Sequence, residues 1–329
     1  MIKAWIDGLR ALFERLPRPL RYWIDVLLAG GRQWSESQAF IYAAALAFFT
    51  VFSIAPVMIV VVALVGLVLG ERAATGELMA QLQQVLGNDA AQVVETAVMN
   101  SRIEQSGIWP TVVGVVAIVL GATTVFAQMQ KSLNQIWDVV PRPSRSGLWR
   151  LAKTRLLSLT MVLAMGFVLL VSLLLSVALR AIMAFADQWL PMPGWVMVGI
   201  EIGLSLVVTT GLFAAIFKIL PDVMLRWRDV LVGALVTALL FTVGRSLIAL
   251  YLAKTATAST YGAAGSLVLL LLWVNYSALI LLFGAAITRA HFEARGQHIQ
   301  PRNTAICVHR ELVEGPPGPD PGNSGHRTR

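Results

Sequence analysis

The chain has 329 residues, 57% of them hydrophobic and 13% charged, with a formal net charge of +8. Soluble domains usually carry about a quarter charged residues, so this chain has too few to cover a water-facing surface. Cys307 is its one cysteine, which excludes an internal disulfide and a cysteine metal cluster.

In residues 1–38, Ile2, Trp5, Leu9, Leu12, Phe13 and Leu16 follow helical spacing, opposed by Lys3, Asp7, Arg10, Glu14 and Arg15. Two readings are open: short cytoplasmic helices lying in the membrane interface, or an ordinary amphipathic helix packed on the bundle. Pro17 and Pro19 end the segment. It has no apolar run long enough for a signal-peptide core, so the first span is expected to act as an uncleaved insertion signal.

Beyond it the apolar residues are bunched. Ala39 to Gly70, Ile108 to Gln130, Leu156 to Leu179 and Thr255 to Thr288 carry no charge over 32, 23, 24 and 34 residues. Crossing a hydrocarbon core of about 30 Å takes roughly 20 helical residues. Leu190 to Phe217, around Glu201, and Val230 to Ala253, around Arg245, also reach that length. The expected fold is all-α, a polytopic bundle of six transmembrane helices at about 39–70, 108–130, 155–180, 194–217, 230–253 and 262–288.

Pro56 lies near the middle of the first span and predicts a kink there. Gly66 and Gly70 form a GxxxG pair suited to close packing. Residues 71–107 make an acidic extracytoplasmic connection, expected to be a helical hairpin around Gly87-Asn88-Asp89. After the second span, Leu133, Ile136 and Trp137 form the apolar side of a helix that Pro141 and Pro143 stop. From residue 291 the chain is expected to be a cytoplasmic, largely disordered tail.

The charge follows the same topology. Residues 1–38, 128–153, 218–229 and 289–329 hold 6, 5, 3 and 6 Lys plus Arg, whereas 71–107, 184–194 and 254–261 hold 2, 0 and 1. This positive-inside pattern places both termini in the cytoplasm and accounts for the basic charge without nucleic acid. The histidines His291, His298, His309 and His326 lack metal-ligand spacing, and no hydrolase or nucleotide motif occurs. No enzyme and no cofactor is expected.

Ionisable and polar residues inside spans are the better clue, because a charge in lipid costs about 3 kcal/mol on insertion scales. Glu201 and Arg245 lie at similar depths, so they either pair or each reach for the outer interface separately. Asn275 and Tyr276 are polar at mid-depth in the sixth span, beside Trp273. They serve as packing contacts between helices or as ligand contacts.

Several segments resemble the YihY/BrkB family of bacterial inner-membrane proteins, once called ribonuclease BN. They are Ala43 to Pro56, Leu220-Pro221-Asp222, Trp227-Arg228-Asp229, Gly233-Ala234, Gly244-Arg245 and Tyr251. Tyr261-Gly262, Gly265-Ser266, Leu272-Trp273, Tyr276-Ser277 and Gly284-Ala285 complete the set. Asn275 stands where the family usually has an aromatic or aliphatic residue, and Ala286 where it often has Glu. The resemblance implies a six-helix inner-membrane protein, sometimes linked to virulence or serum resistance. The expected function is to transport or help move an envelope lipid or similar amphiphile, with membrane lipids as partners. The alternative is a scaffold that binds envelope-assembly proteins; a ribonuclease is disfavoured for want of a catalytic cluster.

Overall fold

A computed structural model describes residues 17–70, 108–142, 194–254 and 262–308, together with positions 75, 76, 78–80, 83, 91, 92, 94–96 and 99 of the connection. The expected span at about 155–180, the segment before Pro17, the turn at 87–89 and the tail beyond 308 lie outside the described residues.

Six helices are described: α1 (Arg18–Glu36), α2 (Ala39–Leu69), α3 (Ile108–Ile136), α4 (Gly194–Ile219), α5 (Trp227–Lys254) and α6 (Gly262–Ala294). Four stretches, Ala39–Ile59, Ile202–Ile219, Trp227–Leu247 and Leu267–Ala294, are long and apolar enough to cross a membrane. Such runs are helical because in lipid the backbone must satisfy its own hydrogen bonds. Two short strands, β1 (Val139–Pro141) and β2 (Ala305–Cys307), pair antiparallel, Val140 opposite Ile306.

The side chains sort inversely to a soluble protein. Ile41, Phe48 and Phe52 on α2 are exposed, as are Leu231, Leu235, Leu239, Val243 and Leu247 at four-residue steps on α5. Phe52 and Leu247 stay 68% and 59% exposed. Small residues line the helix contacts, Ala39, Ala43, Ala234, Ala238, Ala285 and Ala286 being fully buried, beside large apolar side chains such as Trp137, Phe217 and Leu282. Large apolar groups left on the outside and small ones where helices meet suit a bundle whose solvent is hydrocarbon.

α6 is the hub, packed against α1, α2 and α5, while α2 packs along α3 and α4 along α5. Pro56 lies inside the continuous α2, its ring against Gly121 of α3, where any side chain would collide. Gly70 follows the last residue of α2 at φ +82°, the left-handed conformation that ends helices, with no described atom within 4 Å of where a Cβ would stand. The surroundings of Gly66 lie outside the described residues, and with them the expected GxxxG contact. Leu78, Met79 and Val94 of the connection are buried with Ala55, Met58, Val61 and Val62 of α2 and Leu270 and Trp273 of α6.

α6 closes in a paired C-terminal turn: Gly296, at φ +71°, donates to the Glu293 carbonyl at 2.9 Å and Gln297 to Phe292 at 3.4 Å. The chain then returns across the ends of α3 and α4 as an ordered strap. Composition assigns 291–308 to a polar tail, but these residues find backbone partners there. Met224 donates to Gln300, Arg302 to Asp222, Arg142 to Thr304 and Val308 to Asp138, all within 2.8–2.9 Å.

Candidate functional site

Polar side chains gather at two levels. The first is where α5 and α6 cross. Gly233-x-x-x-Thr237 on α5 meets Gly284-x-x-x-Thr288 on α6 in antiparallel register. A Cβ on Gly233 would collide with the Thr288 hydroxyl, and one on Gly284 with that of Thr237. Each hydroxyl donates to the carbonyl four residues back, Thr237 to Gly233 at 2.6 Å and Thr288 to Gly284 at 2.8 Å. The threonines thus meet the partner helix with their polar groups already satisfied. Farther along the same register, the Tyr276 ring is seated on Gly244. This sets Asn275 and Tyr276 of α6 level with Arg245 of α5.

A chain of ring contacts leads there: Phe217 to Phe213 at 6.3 Å, Phe213 to Phe241 at 5.8 Å, Phe241 to Trp273 at 5.7 Å and Trp273 to Tyr276 at 6.4 Å. Arg245 extends the inward row of Ala234 and Ala238, while Asn275 extends that of Leu282 and Ala286. All four of those row-mates are fully buried. Arg245, Asn275 and Tyr276 are themselves partly exposed. Among the described residues none of the three has a hydrogen-bonding or ion-pair partner, and the neighbouring Ser277 hydroxyl is buried without one. Glu201 lies on α4 as many residues before Ile219 as Arg245 lies after Trp227. Its side chain is outside the described residues, so the expected pair is neither made nor broken here.

The second level is the loop end, and there the charges are answered. Buried Asp222 accepts from Asn134 Nδ2 at 2.9 Å and Gln130 Nε2 at 3.2 Å, while its own N–H donates to Asn134 Oδ1 at 2.8 Å. Arg302 donates to the last carbonyls of α4, Lys218 at 3.1 Å and Ile219 at 3.3 Å, where a cation suits the helix C-terminus. Asp229, in the first turn of α5, accepts the Arg226 N–H at 3.1 Å and pairs with Arg295 at 3.3 Å.

Arg289 is the most heavily bonded of these groups. It donates to Asp138 at 2.7 Å, the Ile136 carbonyl at 2.6 Å and Glu293 at 2.7 Å. Gln33, its amide oxygen turned inward, accepts from the same guanidinium at 2.6 Å. Around it lies a cleft of about 810 Å³, lined also by Glu36, Ser37, Trp137, His298 and Cys307. Gln38 and Asp138, the two non-glycine residues at positive φ among those described, flank it at 57° and 48°. A left-handed residue costs roughly 1–2 kcal/mol, which the ion pair to Asp138 and the strap's bond to its carbonyl offset.

The expected residues therefore fall together in part: Arg245, Asn275 and Tyr276 share one level, and Pro56 contacts α3 elsewhere. Sequence reasoning missed Ser277, the Gly–Thr crossing and the Asn134–Asp222 and Arg289 networks. The small-x-x-x-small spacing at 233–237 and 284–288 is the signal that could have found the crossing. Among the described residues no three His, Cys, Asp or Glu converge as a metal site requires.

Long helices with apolar side chains outward and polar ones between helices define an α-helical membrane protein. A family model described as virulence factor BrkB matches residues 31–305, and the chain belongs to that family. It is 26% identical to a UPF0761 membrane protein of Mannheimia succiniciproducens, over 75% of this chain and 82% of the relative. It is 27% identical to a protein of Bacillus subtilis named as ribonuclease-like, over 74% of this chain and 86% of the relative. With a UPF0761 membrane protein of Methylibium petroleiphilum the identity is 31% over 61% of this chain, which spans 48% of that longer protein. No solved structure matches.

Proposed function

We propose that this is a six-span protein of the bacterial inner membrane, both termini cytoplasmic, that moves or helps to move an envelope lipid or similar amphiphile. One observation carries the reading: Arg245 extends an inward row of a lipid-facing bundle without a partner among the described residues. Charges inside membrane helices are costly and mark substrate or ion pathways. The cleft of about 810 Å³ at the loop end is of a size that takes small ligands. The test is translocation of a fluorescent phospholipid in proteoliposomes, read by dithionite bleaching of the outer leaflet. The reading expects protein-dependent loss of the protected half of the signal; loss no faster than in empty liposomes contradicts it.

A scaffold for envelope assembly is the second reading, favoured by the interlocked α5–α6 crossing and the strap. It expects no translocation and co-purifying envelope proteins.

A further inference from the structure

We propose that α1 lies in the cytoplasmic leaflet of the membrane, its exposed apolar side covered by lipid acyl chains. The inference stands whether or not the protein moves lipid; only the sidedness of the leaflet rests on the topology proposed above. At about 100° per residue, α1 sorts its residues onto three sides. Val26 and Gly30 are buried, and a Cβ on Gly30 would collide with Ile287 of α6. Arg18, Arg21, Asp25, Arg32 and Glu36 make a charged side, Arg32 and Glu36 pairing at 2.7 Å. Leu20, Trp23, Leu27 and Leu28 make the third side. All four are exposed, Leu28 keeping 65% of its surface.

The contacts of α1 set it at the depth of the spans. Trp34 meets Phe40 of α2 at 4.6 Å and Phe283 of α6 at 5.9 Å. Gly30 sits on Ile287, and the Tyr22 hydroxyl is hydrogen-bonded to His291 Nδ1 at 2.8 Å. All four partners belong to Ala39–Ile59 and Leu267–Ala294, stretches long and apolar enough to cross a membrane. Leucines exposed beside such stretches face hydrocarbon. The surface is also continuous with one already described. Trp34 stands on the same side of α1 as Trp23 and Leu27, and the Phe40 it touches opens the exposed apolar face of α2 with Ile41 and Phe48. What covers α2 there therefore runs on through Trp34 onto α1. Trp23, stacked on His291 at 5.5 Å, edges this side as indole rings do at a bilayer interface. The charged side points away from it, toward headgroups and water, as in helices that lie in the interface plane.

The experiment places nitroxide labels on single cysteines of the full chain, in a Cys307→Ser background, within vesicles of phosphatidylethanolamine and phosphatidylglycerol. Collision with oxygen, which concentrates among acyl chains, is compared with collision with a water-soluble nickel chelate. Labels at Leu20→Cys, Leu27→Cys and Leu28→Cys are expected to meet oxygen and to be shielded from the chelate. Labels at Arg18→Cys, Asp25→Cys and Arg32→Cys are expected to show the reverse, so the ratio rises and falls with a period of about 3.6 residues. Each label replaces an exposed side chain and leaves the packing on α6 intact. Chelate that reaches position 27 as readily as position 25 overturns the proposal, since α1 is then a water-exposed helix. So does a label at 27 shielded from both probes, which puts protein over it, a second copy or another part of the chain. Neither result touches the transport reading, which fails or stands on translocation alone.

Discussion

The two polar levels of this protein obey opposite rules. At the loop end two networks of charges are answered: Arg289 serves Asp138, Glu293, Gln33 and a carbonyl, and Asp222 takes bonds from Asn134 and Gln130. At the Arg245 level the donors share a depth and are unanswered among the described residues. The first arrangement fixes three helix ends and a strap in one geometry.

That contrast can be broken by mutation. The largest loss is expected from Arg289→Met, which strands Asp138, Glu293 and the Ile136 carbonyl. With its side chain only 12% exposed, breaking such a hub costs about 3 kcal/mol, read as unfolding free energy in mixed micelles. Next is Gly284→Leu, whose side chain would drive into Thr237 and the Phe217 ring; overpacking of this kind costs about 2 kcal/mol. Asp222→Asn can keep an oxygen for Asn134 and Gln130, which both donate to Oδ2, but it loses the charge that strengthens those bonds and turns an NH₂ toward the Thr304 hydroxyl, a loss of about 1 kcal/mol in the same assay. Smallest is Arg32→Ala. Its pairing with Glu36 is on the surface, 81% and 64% exposed, so no measurable change in the unfolding midpoint is expected.

The topology sharpens the comparison from another side. In a Cys307→Ser background, cysteines at Ser35 and Gln300 are expected to react with a membrane-impermeant maleimide in inverted vesicles only. Labelling in intact spheroplasts contradicts a cytoplasmic loop end.

What was legible in the sequence follows from the membrane itself. Bilayer thickness dictates the length of an apolar helix, so α2 and α6 could be read from charge-free runs and α4 and α5 from runs with a single charge inside, Glu201 and Arg245. Arg245, Asn275 and Tyr276 stood out because polar residues are rare in such runs. Ser277 did not, since serine is common in membrane helices and only its unmade hydrogen bond singles it out. The resemblance included Asp222, Asp229, Gly233 and Gly284 without their roles, because each partner lies elsewhere in the chain: Asn134, Arg295, Thr288, Thr237. The strap was hidden for a different reason. Its strand is three residues long, below any readable alternation, and its surroundings of Gln300, Pro301 and Arg302 look like tail until Arg302 finds the end of α4.

The most direct test compares the unfolding midpoints of wild type, Arg245→Gln and Arg289→Gln in lipid-free detergent and again with the envelope lipid phosphatidylglycerol added. A ligand that binds only the folded state raises the midpoint through mass action. The account predicts that Arg289→Gln is destabilised in both conditions. Arg245→Gln should match the wild type without lipid and fail to gain when phosphatidylglycerol is added. An Arg245→Gln protein destabilised as strongly as Arg289→Gln in lipid-free detergent would contradict it, for Arg245 would then be a structural charge like the rest.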